Sequence, residues 1–97
     1  MKVLYTAAAL FELKEIGRYI AERNPQAALK VERAIRRAVR TLATMPKRGR
    51  KQRSRDIWKI GVGQYPYSIY YQIGVTSQVV TIVTIRHAAR RQKHGNT

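Results

Sequence analysis

The chain lacks cysteine and is poor in acidic residues. It has 97 residues, with no Cys and 5 Asp plus Glu against 20 Lys plus Arg, for a formal net charge of +15. The absence of cysteine excludes disulfides, thiolate metal sites and a cysteine nucleophile. Asp56 is the sole aspartate and there are 2 histidines. The chain therefore has almost no residues from which a pair of catalytic carboxylates or a Ser/His/Asp triad could be built.

Long apolar runs and cofactor motifs are also missing. The opening segment is mostly apolar, but Glu12, Lys14 and Glu15 interrupt it before the length of a signal peptide or membrane span is reached. The glycines of residues 61–63 lack the third glycine of a dinucleotide-binding loop. We therefore expect a single domain over residues 1–97, in the cytoplasm, with no membrane association, no metal and no cofactor.

The basic residues cluster in two segments. Residues 33–56 contain a single acid and these cations: Arg33, Arg36, Arg37, Arg40, Lys47, Arg48, Arg50, Lys51, Arg53 and Arg55. The last twelve residues contain no acid and add Arg86, Arg90, Arg91 and Lys93. A small protein with this charge is expected to bind an anionic partner, which could be nucleic acid, anionic lipid or an acidic protein.

Apolar periodicity predicts a strand and a helical hairpin in the first half. A short β-prone run ends at Thr6, a good N-cap for an amphipathic helix over residues 7–23. Asn24 and Pro25 then supply the cap and first-turn proline of a second helix, which ends at Met45. Because the break between them is so short, the two helices should be antiparallel.

Two basic features accompany these helices. One face of the second helix carries a row that is typical of a solvated surface, namely Lys30, Arg33, Arg37 and Arg40. Residues 46–55 carry no large apolar side chain and are predicted to form an exposed loop, which is either a contact element or a plain connector. The loop cations are Arg48, Arg50, Lys51, Arg53 and Arg55.

The second half is rich in β-prone residues. Strands are predicted over residues 57–60, 65–73 and 79–85, with glycine-containing turns between them. The segment over residues 79–85 has apolar residues at both odd and even positions, so both of its faces should be buried. This pattern predicts an interior strand.

One group of residues could carry chemistry, at the end of the last predicted strand. His87 follows Arg86, and Arg90 and Arg91 lie just beyond. His87 could act as a base beside cations that stabilise the transition state of RNA cleavage. Alternatively, His87 packs at the strand end and the arginines bind a phosphate or an acidic partner, since no second proton-transfer group is evident.

Four short motifs, in this order, are similar to those of the RelE/ParE superfamily of bacterial toxins. They are Asn24-Pro25 before Ala27-Ala28, Pro46-x-x-Gly49, Pro66-Tyr67-x-Ile69-x-Tyr71, and His87-x-x-Arg90. The resemblance spans essentially the whole chain. It implies an α+β fold of order β-α-α-β-β-β, in which an antiparallel sheet packs against a helical hairpin.

The superfamily that the chain resembles has two branches with different targets. RelE-like members cut messenger RNA on the ribosome and have an arginine directly after the tyrosine of the penultimate strand, where this chain has Ser68 after Tyr67. ParE-like members poison DNA gyrase and tend to have Pro-Tyr there and His-x-x-Arg after the last strand. The chain resembles the ParE-like branch, which implies a non-enzymatic toxin of a type II toxin-antitoxin module.

The implied partners are DNA gyrase and a cognate acidic, ParD-like antitoxin, in a hetero-oligomeric complex. The predicted target- or anion-binding residues are Arg48, Arg50, Lys51, Arg53, Arg55, Arg86, His87, Arg90 and Arg91. The alternative is a RelE-like, ribosome-dependent mRNA endoribonuclease that uses His87, Arg90 and the basic loop. Plain nucleic-acid binding is a third interpretation, although no known reader motif is present.

Overall fold

The elements follow the predicted order, with two additions in the basic segment. The computed structural model describes residues 1–53 and 56–88. Within them the elements are β1 (Lys2–Tyr5), α1 (Ala7–Ala21), α2 (Pro25–Thr41), a 3-10 turn (Pro46–Arg48), β2 (Arg50–Lys51), β3 (Trp58–Val62), β4 (Tyr65–Gly74) and β5 (Val79–His87). The predicted α+β class is confirmed. Neither helix in the described residues has the length and apolarity needed to cross a membrane.

Polar caps begin both helices where the sequence predicts. The Ala9 N–H donates to the Thr6 hydroxyl oxygen at 3.0 Å, and the Ala27 N–H donates to the Asn24 side-chain oxygen at 3.0 Å. Each cap satisfies one of the N–H groups that a helix start leaves without a partner. Pro25 adds a backbone angle that already suits the first turn. The hairpin therefore follows from local sequence.

The sheet has the order β1-β5-β4-β3-β2 and is mixed. β1 runs parallel to β5, and the other neighbouring strands are antiparallel. The parallel pair differs from the wholly antiparallel sheet that the resemblance implies. Thr6 ends β1 against β5, because its N–H donates to the Ile82 carbonyl at 3.0 Å and its hydroxyl to the Val83 carbonyl at 2.8 Å.

β2 is a second difference, since the sequence predicts a loop over residues 46–55. Arg50 pairs with Lys59 and Lys51 with Trp58, so this short strand closes one edge of the sheet. Its two charged residues gave no apolar alternation from which a strand could be predicted. Short, charged strands are common at sheet edges, where they discourage pairing with other chains.

The hydrophobic core lies between the helical hairpin and one face of the sheet. Along β4 this face carries Tyr67, Ile69 and Tyr71, which are all buried. The other core residues are Ala9, Leu13, Val31, Ile35, Val39, Leu42, Ile60, Val62, Val80, Ile82 and Ile85. Neither α1 nor α2, the two helices of residues 1–53 and 56–88, packs on the opposite face of the sheet, which is called the outer face below.

A β-bulge explains why β5 seems apolar on both faces. Tyr70 pairs with Thr84 and Tyr71 with Ile82, so Val83 is an extra residue without an opposite partner on β4. The extra residue reverses the alternation of side chains. Ile82 and Ile85 therefore both face the core although they are three positions apart.

The Tyr71 hydroxyl fixes the 3-10 turn against the sheet. It donates to the Pro46 carbonyl oxygen at 2.7 Å and accepts from the Gly49 N–H at 3.0 Å. At Gly49 a Cβ atom would lie 2.5 Å from the Lys59 carbonyl oxygen and 2.6 Å from the Tyr71 hydroxyl oxygen. Glycine is thus required here by close approach of the main chain to β3 and Tyr71.

We expect Gly49→Ala to destabilise the protein, because the added methyl must push β3 or Tyr71 aside. The cost should be about 1–3 kcal/mol in the free energy of unfolding, measured with urea. Gly61→Ala in β3 is the matched control, since nothing lies within 4 Å of its added Cβ. The control should be neutral or stabilising by up to about 1 kcal/mol. Equal costs at the two glycines would contradict the close approach.

Tyr71→Phe should cost about 1–3 kcal/mol, because it leaves the turn's N–H and C=O without their partner. Tyr65→Phe in the same strand is the control.

Burial raises the pKa of the Tyr71 hydroxyl above 10.0, and this shift is partly offset by the Gly49 hydrogen bond and the Arg48 charge. The stability that the neutral hydroxyl adds to the fold is fully present below the unfolded-state pKa of about 10. It is lost as the pH rises through the folded-state pKa. The stability gap between wild type and Tyr71→Phe should therefore narrow above pH ~10; a constant gap would exclude this titration.

Candidate functional site

Arg86 and His87, adjacent at the end of β5, lie on opposite faces of the sheet. Arg86 pairs with Ser68 and His87 with Tyr67 across the β4–β5 ladder. The His87 ring meets the Tyr67 ring edge-on, with centroids 5.2 Å apart and an interplanar angle of 89°. Because Tyr67 faces the core, His87 lies on the helix side and Arg86 lies on the outer face. The Val83 bulge sets this arrangement, since without it the two would exchange faces.

Arg48 is the last residue of the turn that Tyr71 anchors, and Arg50 follows that turn in β2. The Arg48 guanidinium donates to the Thr41 hydroxyl at 2.8 Å, which holds this exposed side chain against the end of α2. Arg50 lies opposite Lys59 in the β2–β3 ladder. Lys51, its neighbour, forms an exposed ion pair of 3.6 Å with Asp56. The structure therefore gives three of the loop cations, Arg48, Arg50 and Lys51, defined positions.

The outer face brings three cations onto one surface. By register, Arg50 lies opposite Lys59, Lys59 opposite Tyr70, and Ser68 opposite Arg86. All five residues therefore share the face away from the helices. β2 and β5, which carry the first and last of these residues, are three strand spacings apart, or about 14 Å. We call Arg50, Lys59 and Arg86 the outer-face cations.

Lys59 is a site residue that the sequence analysis missed. It lies between Trp58 and Ile60 in a run that the sequence analysis predicts only as a short strand. The alternation of that run was the available signal, since a residue between two core-facing residues of a strand must point to the opposite face. The Lys59 ammonium nitrogen lies 5.8 Å from the centroid of the Tyr70 ring, within range of a cation–π contact.

Of the remaining predicted site residues, Arg53 is exposed in a bend beyond β2. Arg55, Arg90 and Arg91 lie outside the described residues.

A groove of about 360 Å³ runs between α1 and the end of β5, bordered by Phe11, Tyr19, Tyr67 and His87. At its base the Glu12 carboxylate accepts hydrogen bonds from the Thr84 hydroxyl at 2.8 and 3.0 Å and from the Ile85 N–H at 2.9 Å. Glu12 thus ties α1 to β5 just beyond the bulge. It positions the strand end that carries Arg86 and His87.

This fold and this distribution of cations can be compared with known proteins. A family model described as "ParE toxin of type II toxin-antitoxin system, parDE" matches residues 3–92. The chain belongs to the ParE toxin family. It is a toxin of a type II toxin-antitoxin system, within the ParE/RelE superfamily.

Two sequence relatives of the toxin support this assignment. A toxin candidate of Sinorhizobium fredii, Y4kP, is 38% identical over 87 residues, covering 90% of this chain and 88% of that protein. Toxin RelE2 of Caulobacter vibrioides is 36% identical over 91 residues, covering 92% and 97%. One relative is named only as a toxin and the other carries a RelE name, so these names do not distinguish between the two targets.

Solved structures confirm the fold. The chromosomal ParDE toxin-antitoxin system from P. aeruginosa includes a chain with a TM-score of 0.78 at 19% identity, covering 90% of this toxin and 95% of that chain. In the RelBE2 toxin-antitoxin complex from Mycobacterium tuberculosis the TM-score is 0.62 at 20% identity, with 89% and 88% covered. At these identities the likeness concerns the fold alone.

Removing the Glu12 carboxylate from the toxin should loosen the end of β5. We expect Glu12→Ala to cost about 1–3 kcal/mol of unfolding free energy and to speed amide exchange at Ile85, since it leaves that N–H without a partner. Glu12→Gln keeps an acceptor oxygen and should restore most of the loss. Glu15→Ala is the control, because Glu15 contacts only exposed Arg18 among the described residues and should change stability little. Similar effects at Glu12 and Glu15 would show that Glu12 does not anchor the strand.

Proposed function

We propose that this toxin acts in the cytoplasm by inhibiting DNA gyrase, without catalysing a reaction, and that an acidic antitoxin neutralises it by direct binding. The observation that carries the choice of target is that the His87 ring lies on the helix side of the sheet, whereas Arg50 and Lys59 lie on the outer face.

Cleavage of RNA needs a proton-transfer group and charge stabilisation at the same phosphate. In the described residues the His87 ring contacts Tyr67 on the helix side, while Arg50 and Lys59 lie on the outer face. The body of the sheet separates them. This arrangement supports a binding surface more than a nuclease centre.

Ser68 adds an independent argument. It occupies the β4 position where the resemblance implies an arginine in the messenger-cleaving members, and it is 7% exposed. A serine there removes a cation from the middle of the outer face. Loss of one preorganised cation or donor commonly lowers a rate by about a hundredfold or more.

The outer-face cations suit contact with an acidic surface of a large target. Arg50 and Arg86 are exposed and Lys59 is half-buried. None of the three forms an ion pair with a carboxylate of residues 1–53 or 56–88. Complementary charge of this kind speeds encounter and favours the correct partner.

The antitoxin partner is supported by charge and by an open sheet edge. A net charge of +15 attracts an acidic chain, and a disordered one can fold on its target. β1 forms one edge of the sheet, and a cavity of about 440 Å³ beside it is bordered by Val3, Tyr5, Arg36 and Arg40 among others. An extended peptide with alternating apolar and acidic residues would fit this edge as an added strand.

A ribosome-dependent endoribonuclease is the second candidate. The observation that favours it is the presence of three cations on one face, which could hold a phosphate of messenger RNA. It would require His87, or a group outside the described residues, to reach that face.

The deciding experiment is a supercoiling assay with purified gyrase. The wild-type toxin should inhibit supercoiling and increase cleaved DNA. An outer-face variant, Arg50→Gln/Lys59→Gln/Arg86→Gln, should need at least about tenfold more protein for the same effect, because it lacks the complementary charge. A control variant, Lys2→Gln/Lys14→Gln/Arg23→Gln, loses the same charge from other surfaces and should inhibit as the wild type does.

The contrary result is equally specific. Cuts in messenger on programmed ribosomes that disappear in His87→Ala, with gyrase unaffected by wild-type toxin, would replace the gyrase proposal with the nuclease. Equal weakening of gyrase inhibition in the outer-face and control variants would show that total charge, and not this face, matters.

A further inference from the structure

A second basic surface lies on α2, away from the outer face. A cavity of about 580 Å³ opens between α2 and the β3–β4 hairpin, and we call it the α2 groove. Its cationic lining residues are Lys30, Arg33, Arg37 and Arg48. All four side chains are exposed. No acidic residue lines this cavity in the described part of the chain.

Three of these cations form a straight row. Lys30, Arg33 and Arg37 are spaced by three and four positions, so they lie on one face of α2 over about 10 Å. Like charges at this spacing cost a few tenths of a kcal/mol each in an isolated helix. The row is therefore mildly unfavourable for the helix that carries it, and a bound anion would remove that repulsion.

The chain places its carboxylates elsewhere. Arg36, on the neighbouring face of α2, pairs with Glu32 at 3.3 Å, whereas the three cations of the row pair with no carboxylate among residues 1–53 and 56–88. The other acids are likewise engaged away from the groove: Glu12 with Thr84 and Ile85, Glu15 and Glu22 with Arg18, and Asp56 with Lys51. The positive potential of the groove is therefore not cancelled locally.

Arg48 completes the groove from the other side and is held in place. Its guanidinium donates to the Thr41 hydroxyl at 2.8 Å, and the turn that carries it is fixed by the Tyr71 hydroxyl. A side chain that is already ordered loses less entropy when it binds. The groove thus combines three exposed cations on α2 with one preorganised cation.

The walls of the groove favour a sugar-phosphate backbone over exposed bases. Ala34, Ala38, Gly61 and Gly63 are small, and nothing lies within 4 Å of a Cβ added at either glycine, so a backbone can approach closely. Tyr65 is the aromatic residue of the lining, and it is half-buried in β4. Binding of single strands generally needs exposed aromatic rings on which bases stack.

We propose that the α2 groove binds the phosphate backbone of duplex DNA without sequence preference. Duplex DNA carries about one phosphate for every 1.7 Å of its axis, so a row of about 10 Å faces several phosphates. Such binding is separate from gyrase inhibition and requires no gyrase. It gives the toxin an affinity for DNA itself.

The test is the salt dependence of binding to a fluorescent duplex of about 20 base pairs, followed by anisotropy. The groove variant is Lys30→Gln/Arg33→Gln/Arg37→Gln, and glutamine keeps a similar helix propensity. Each phosphate contact contributes about 0.9 to the slope of log K against log salt concentration. The variant should lose roughly 2 to 3 from this slope and bind at least about tenfold more weakly near physiological salt. Thermal unfolding of each variant verifies that it is folded.

The control is again Lys2→Gln/Lys14→Gln/Arg23→Gln, which has the same net charge as the groove variant. It should keep most of the wild-type slope and affinity. An equal loss in both variants would overturn the proposal, because binding would then depend on net charge alone. Two other results would also overturn it. One is that the wild type binds a single strand of the same length more tightly than the duplex. The other is that the groove variant still binds the duplex as the wild type does but has lost affinity for a glutamate-rich peptide. None of these outcomes depends on the gyrase assay.

Discussion

The buried hydroxyl of Tyr71 is the contact on which the basic part of the molecule depends. Its side chain is fully buried in the core, and a buried hydroxyl must find hydrogen-bond partners. The partners are main-chain groups of a turn that contributes nothing large to the core, and Gly49 permits the approach. Through this one polar contact a highly charged segment acquires a fixed place. Arg48, which ends the turn, and Arg50, which follows it, are positioned by it on two different surfaces.

A second constraint acts at the other end of the sheet. The extra residue Val83 reverses the alternation of β5, and Glu12 accepts hydrogen bonds from Thr84 and Ile85 just beyond it. A shift of one residue exchanges the faces of every following side chain. The bulge therefore determines that Arg86 joins the outer face and His87 joins the groove beside α1. The interpretation of the protein as a binding toxin depends on this detail.

The charge of the chain is segregated as well as large. Its acidic side chains pair with cations nearby in sequence, apart from Glu12, which binds Thr84 and Ile85. Two sets of cations form no ion pair with a carboxylate of the described residues. One set lies on the outer face and the other in the α2 groove. Because both are exposed, water and salt screen their self-repulsion, so the fold tolerates them. If both surfaces bind anions as we propose, one small domain could engage a protein target and its DNA together.

The sequence by itself determined the helical hairpin, because Thr6, Asn24 and Pro25 are local signals that act within one turn of each helix start. It also determined the three long strands, the family resemblance and the need for an anionic partner. The parallel pairing of β1, the edge strand β2 and the Val83 bulge were decided only by the tertiary structure, since each depends on a strand distant in sequence. The same holds for the sites. Lys59 shares a face with Arg50 and Arg86 because the strands that carry them pair across the sheet. Arg48 lies beside the row on α2 because the Tyr71 contact holds its turn there. No spacing along the chain encodes those distances.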